Sequence, residues 1–187
     1  MDGTGTIMKV VSIVGMTGAG KSEVSRLFRE KGFAVVRFGD VTDEEVKKLG
    51  LELNEATERQ VREFLREKYG MAAYARLNLP RIDAALKTSS VVVDGLYSWE
   101  EYEQLKTHYA DDFKVVAVWA SPWTRYARLV SRPVRPLTPD EAAGRDRAEI
   151  ENLNKGGPIA MADFTILNDT SLADLKKQVA VIIRSLG

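Results

Sequence analysis

Eight consecutive residues, Gly15-Met16-Thr17-Gly18-Ala19-Gly20-Lys21-Ser22, follow the pattern G-x-x-x-x-G-K-[ST]. Each position has a chemical task. The glycines let the backbone curl until successive N–H groups converge on phosphate oxygens. Gly20 opens a helix whose first free N–H groups and positive dipole end add to the anion site. Lys21 has the reach and charge for β- and γ-phosphates, and the Ser22 hydroxyl is a ligand for Mg²⁺. This is the spacing of a loop that binds ATP or GTP with its magnesium ion.

Other residues carry the charges that phosphoryl chemistry needs. Asp94 closes the run Val91-Val92-Val93-Asp94, so it sits at the strand end where α/β sheets bind ligands, ready to hold Mg²⁺ or orient an acceptor. Asp40, in Phe38-Gly39-Asp40, stands at the corresponding end of the second strand and is the candidate base for an attacking hydroxyl. Arg125, Arg128, Arg132 and Arg135 fall within eleven residues with no acid between them. The first three share a helix face by their spacing, and the proline-rich stretch after them reads as a closing lid. Arg145 follows on the far side of that lid. Asn168, in the turn Asn168-Asp169-Thr170, should lie beside the nucleotide base. Lys21, Asp40, Asp94, Arg128, Arg132 and Arg145 are thus the candidate catalytic set. The loop residues with Arg125 and Asn168 would hold the nucleotide, and Ser22 with Asp94 the metal.

These residues need a sheet to position them. Apolar runs at Lys9–Gly15, Phe33–Phe38, Val91–Asp94, Lys114–Ala120 and Asp163–Asn168 read as buried strands, separated by stretches of helical period. Such alternation predicts an α/β domain with a parallel sheet covered on both faces. Thr42-x-x-Glu45, Ser98-x-x-Glu101 and Thr138-x-x-Glu141 fit capping boxes that open helices. Residues 41–88 form a long helical insertion after the second strand, and residues 128–145 the lid. Residues 1–8 read as a flexible extension of one domain spanning 1–187. Trp99, Trp119 and Trp123 read as packing residues, and His108 as a surface histidine.

Composition removes several alternatives. The 187 residues hold 27 Lys plus Arg, 27 Asp plus Glu, one His and no Cys. Thiolate metal sites, cysteine nucleophiles and disulfides are excluded. Balanced charge argues against a nucleic-acid partner. No apolar run is long enough for a transmembrane helix. The N-terminal residues lack the pattern of a signal peptide, so a cytoplasmic location is expected.

With those residues in place, the chain resembles the dephospho-coenzyme A kinase branch of P-loop kinases. Arg128-Leu129-x-x-Arg132 is similar to that branch's R-L-x-x-R entry to the lid, and Arg145 to its lid-helix arginine. Ala162-Asp163, Ile166 and Asn168 match its A-D-x-x-I-x-N segment. Residues 37–57 and 144–163 resemble, more closely, an adenylate-kinase-related family of P-loop proteins familiar from archaea. The resemblance implies a three-layer P-loop kinase fold, strand order 2-3-1-4-5, and an acceptor-binding helical insertion. It implies Mg²⁺-ATP as donor and a small nucleotide-like acceptor, a dephospho-coenzyme A-type hydroxyl before a nucleoside monophosphate. A regulatory ATP- or GTP-binding protein with little transfer is the other class of answer. Two positions depart from the pattern. Asp43 and Tyr97 stand where adenylate-kinase-like chains usually carry arginines for the acceptor phosphate. Arg59, Arg62, Arg66, Arg76 and Arg81 of the insertion are the cations available to replace them.

Overall fold

The computed structural model describes residues 8–133 and 136–187. Arg135 and the first seven residues therefore lie outside the described residues. Five strands, β1 (Val10–Val14), β2 (Ala34–Arg37), β3 (Val91–Asp94), β4 (Phe113–Trp119) and β5 (Phe164–Leu167), form one sheet in the order β2-β3-β1-β4-β5. Every pairing is parallel. The helices are α1 (Lys21–Glu30), α2 (Asp40–Lys48), α3 (Glu55–Tyr69), α4 (Ala73–Leu86), α5 (Trp99–Tyr109), α6 (Pro122–Ser131), α7 (Pro139–Glu151), α8 (Gly156–Ala160) and α9 (Leu172–Ser185). A 3₁₀ turn links α5 to β4.

The central strand explains the layering. All of β1 is buried, and its side chains alternate between two apolar clusters. Val10 and Val14 join Val91, Val93 and Val115 beneath α4 and α5. Val11 and Ile13 join Val116, Val118 and Ile166 beneath α1 and α9. Covered on both faces, β1 and β3 have no use for polar alternation, which is why they read as continuous valine runs. The two edge strands are only partly covered.

Register then places chemistry. Ile13 of β1 pairs with Asp94 of β3, so the Asp94 carboxylate ends its strand beside the loop that leaves β1. Residues 38–90 supply α2, α3 and α4 between β2 and β3. Thr42 lies inside α2, which begins at Asp40 behind Gly39 without a side-chain cap. The expected box at Thr42 does not form, because its hydroxyl is buried 2.6 Å from that of Tyr74 and ties α2 to α4. The box of this region is Asn54 with Thr57, opening α3. Ser98 caps α5 as expected, yet the Glu101 carboxylate accepts from the Tyr97 N–H. Thr138 and Glu141 form the complete box at α7. Trp99 stacks on Tyr102. Trp123, by contrast, is 86% exposed and Trp119 47%, so neither is the packing residue that its size predicted.

Candidate functional site

The loop from Gly15 to Ser22 connects β1 to α1 with its backbone turned inward. Two glycines are required there. Gly15 lies at φ 151° with its α-carbon against the Val118 carbonyl, and Gly20 at φ 100° against the Asn168 amide; a β-carbon on either would collide. The Asn168 Nδ2 in turn donates to the Ala19 carbonyl at 2.7 Å. Asn168 thus braces the loop from outside, a role its turn-forming sequence does not reveal.

Lys21 Nζ donates to the Met16 carbonyl at 3.1 Å. Burial, with Lys155 and Arg145 nearby, lowers its pKa to about 7 against the pull of Glu149 and Asp94. Asp94 responds the other way: burial raises its pKa, although Lys21, Arg37 and the Ser25 hydroxyl oppose the shift. These effects require the Lys21 ammonium and the Asp94 carboxylate to share one environment. Ser22 follows at the start of α1. A hydroxyl and a carboxylate are few ligands, which fits a Mg²⁺ ion that arrives largely coordinated by phosphates and water. No cluster of three or more His, Cys, Asp or Glu that could hold a metal occurs among the described residues.

The other candidates divide. Asp40 pairs with Arg37 at 3.0 Å, and Arg37 stands 3.9 Å from Asp43. Arg125 is buried and gives its guanidinium to Asp146, to the Thr17 carbonyl and to the Ala120 carbonyl. It is a brace between loop, β4 and α7 rather than an open cation. Arg128 donates to the Asn168 carbonyl at 2.7 Å and reaches the Gly18 carbonyl at 3.5 Å. Arg132 is exposed at the end of α6 and lines an outer groove. The face predicted for Arg125, Arg128 and Arg132 is therefore split between a buried brace, a loop contact and solvent.

A cavity of about 220 Å³ lies between α2, α3, α7 and the loop before α8. Arg37, Arg62, Arg66, Arg145 and Lys155 reach its wall, with Tyr74 and Tyr97 beside them. It continues into a wider groove between α3 and α7, of about 970 Å³, where Arg59 and Arg132 stand. Arg76 and Arg81 are used elsewhere, donating to the Tyr69 carbonyl and to Glu44. Of the insertion arginines, then, it is Arg62 and Arg66 that reach the inner cavity. Tyr97 contributes its ring, packed edge-on against Phe38 and Tyr74, and burial raises its hydroxyl pKa.

Two residues outside the predicted set are central. Glu149 of α7 is buried and accepts from both the Thr17 hydroxyl, at 2.6 Å, and the Thr17 N–H, at 3.3 Å. Lys155, 2% exposed, places Nζ 2.9 Å from the same carboxylate. Burial alone would raise the Glu149 pKa, but Lys155, the Thr17 hydroxyl and Lys21 hold it at about 2. Local sequence carries no sign of this cluster, since Thr17 and Glu149 are 132 positions apart.

Comparison with known proteins bears on the fold and the family. A family model described as an AAA domain matches residues 11–152. The UPF0200 protein of Pyrococcus abyssi is 35% identical over 181 residues, covering 95% of this chain and 96% of its own. That of Methanoculleus marisnigri is 35% identical over 182 residues, with 96% and 98% covered. Among solved structures, a shikimate kinase from Bacteroides thetaiotaomicron superposes with TM-score 0.60 at 15% identity, covering 96% of this chain and 98% of the other. A gluconokinase from Sinorhizobium meliloti gives 0.55 at 14%, with 97% and 96% covered. The fold is that of P-loop kinases, and the sheet order expected from the sequence is the one observed. The chain belongs to the UPF0200 family and carries an AAA-type P-loop domain.

Proposed function

We propose that this chain transfers the terminal phosphoryl group of Mg²⁺-ATP to the hydroxyl of a small, anionic, nucleotide-like acceptor. A dephospho-coenzyme A-type molecule is the preferred acceptor class. The observation that carries this reading is the shared wall between phosphate loop and cation-lined cavity. Glu149 and Lys155 line that cavity while touching or facing Thr17 and Lys21 of the loop. A donor on the loop and an acceptor in the cavity would meet there, and phosphoryl transfer depends mainly on such positioning and on charge neutralisation.

Lys21 holds the donor phosphates, and Ser22 with Asp94 holds the metal, which when bound neutralises phosphate charge. Asp40, oriented by Arg37, takes the acceptor's proton. Arg128, Arg132 and Arg145 act from the lid side, and α2 to α4 form the acceptor-binding insertion. A nucleoside monophosphate is the second acceptor class, favoured by Arg62 and Arg66, which supply cations where Asp43 and Tyr97 do not. A coupled assay of ADP release, run with dephospho-coenzyme A, nucleoside monophosphates and small alcohols, tests the reading. One acceptor is expected to raise turnover well above that of Lys21→Ala; equal rates with every acceptor overturn it.

A further inference from the structure

We propose that Lys155 is a further catalytic cation of this site, touching the phosphoryl group in transfer, and that Glu149 occupies that group's place until it arrives. The inference rests on the phosphoryl-transfer reading above. Its support is the set of donors gathered round one carboxylate. The Thr17 hydroxyl and N–H donate to Glu149, and Lys155 Nζ stands 2.9 Å from Oε2. Arg145 Nε approaches Oε1 at 3.5 Å. The Lys21 ammonium is near enough to act on the same carboxylate. A loop N–H, a hydroxyl, two lysines and an arginine form the donor set expected of a phosphoryl site. A carboxylate fills it incompletely, with two oxygens and one charge against three oxygens and roughly −1.5 to −2 for a phosphoryl group.

The position of Lys155 matches the task. Burying an ammonium is strongly unfavourable unless an anion answers it. Its carboxylate partner among the described residues is Glu149, and the Tyr97 ring lies 5.7 Å from Nζ. The backbone fixes it there: Asn154 takes a left-handed φ of 51°, and the Lys155 N–H donates to the Glu149 carbonyl at 3.2 Å. Lys155 also lines the acceptor cavity. Its ammonium thus stands between loop and cavity, on the path of a group passing from donor to acceptor. In that passage the bond from the γ-phosphorus to the bridging oxygen of ADP breaks. The acceptor oxygen bonds the phosphorus, and its proton passes to Asp40. Lys155 remains protonated and donates throughout.

Calorimetric binding of ATP against ADP, and of GTP against GDP, each with Mg²⁺, tests this on the full chain without any acceptor. Lys155→Gln is expected to weaken the triphosphate about tenfold, the scale of one charge-assisted hydrogen bond, and to leave the diphosphate nearly unchanged. Lys155→Arg should recover most of the loss. Glu149→Gln removes the competing anion and should favour the triphosphate over the diphosphate more strongly than wild type does. The double variant Glu149→Gln/Lys155→Gln removes both charges together, so it decides the matter where Lys155→Gln alone fails to fold; its triphosphate preference should fall below that of Glu149→Gln. A preference unmoved in these variants, with wild type still binding nucleotide, overturns the inference alone. A wild-type chain that binds neither pair overturns the phosphoryl-transfer reading and this inference with it.

Discussion

Arg125 of α6 and Asp146 of α7 face each other through two parallel hydrogen bonds of 2.8 and 2.6 Å, on side chains almost closed to solvent. The same guanidinium donates to the Thr17 carbonyl at 3.1 Å, so α7 and the phosphate loop are held by one side chain. Breaking a buried pair leaves a charge without its partner, which costs about 3–5 kcal/mol. Arg125→Ala is expected to lower unfolding stability in urea by that amount and to weaken nucleotide binding through the displaced loop. Adding Asp146→Asn should restore part of the stability, because the stranded carboxylate is gone. Fully additive losses would show that the pair does not act as a unit.

Lys21 links nucleotide binding to a proton. Its pKa of about 7, lowered chiefly by burial, lies far below the ordinary 10.5. Phosphate oxygens beside the ammonium favour its charged form and move the value back up. At pH 8 the free loop is mostly neutral at Lys21 and the bound loop is charged, so binding takes up close to one proton. At pH 6 Lys21 is charged in both states and contributes none. Calorimetry in two buffers of different ionisation enthalpy measures the uptake, and Lys21→Ala should abolish it.

Glu101 sets a pH dependence of stability. It is wholly buried; one carboxylate oxygen accepts from the Tyr97 N–H and the other has no hydrogen-bond partner. Burial pushes its pKa up to about 8 from 4.5. Between those values the folded chain keeps a proton that the unfolded chain releases, so this residue makes stability fall as pH rises, by about 1.4 kcal/mol per pH unit. Between about pH 5.5 and 6 Lys21 is largely charged in both states and Glu149 ionised in both, so neither interferes there. Thermal unfolding of Glu101→Gln should lose that slope and exceed wild type at pH 8. An unchanged slope would place the titration elsewhere.

Arg66 separates acceptor from donor. Its Nε is enclosed without a hydrogen-bond partner, and its guanidinium lies 5.3 Å from the Tyr74 ring at the cavity wall. With the acceptor found by the ADP-release assay, Arg66→Ala should raise the acceptor KM about tenfold and leave ATP affinity unchanged. Arg76→Ala, whose side chain contacts the Tyr69 carbonyl, is the matched control. Equal effects of the two would remove the inner cavity as the acceptor site.

Gly15 to Ser22, the valine runs of β1 and β3, and the helix caps at Ser98 and Thr138 were legible in the sequence because each depends on neighbours in the chain. Strand burial, loop curvature and cap geometry are set within about ten residues by backbone freedom, side-chain size and local hydrogen bonds. The strand order came from the resemblance that those local patterns supported. What the spacing of arginines left undivided, tertiary structure divided. Arg125 turned inward because Asp146 and two carbonyls were waiting for it, while Arg62 and Arg66 came to face a cavity that exists only once the fold brings α3 and α7 to either side of it. Thr42 gave up its expected cap for Tyr74. Glu149 and Lys155, ordinary charged residues in their own helix and turn, became the anion and cation at the loop only through a contact across 132 positions. Electrostatics acts through space, and for such pairs separation along the chain carries no information about distance in the fold.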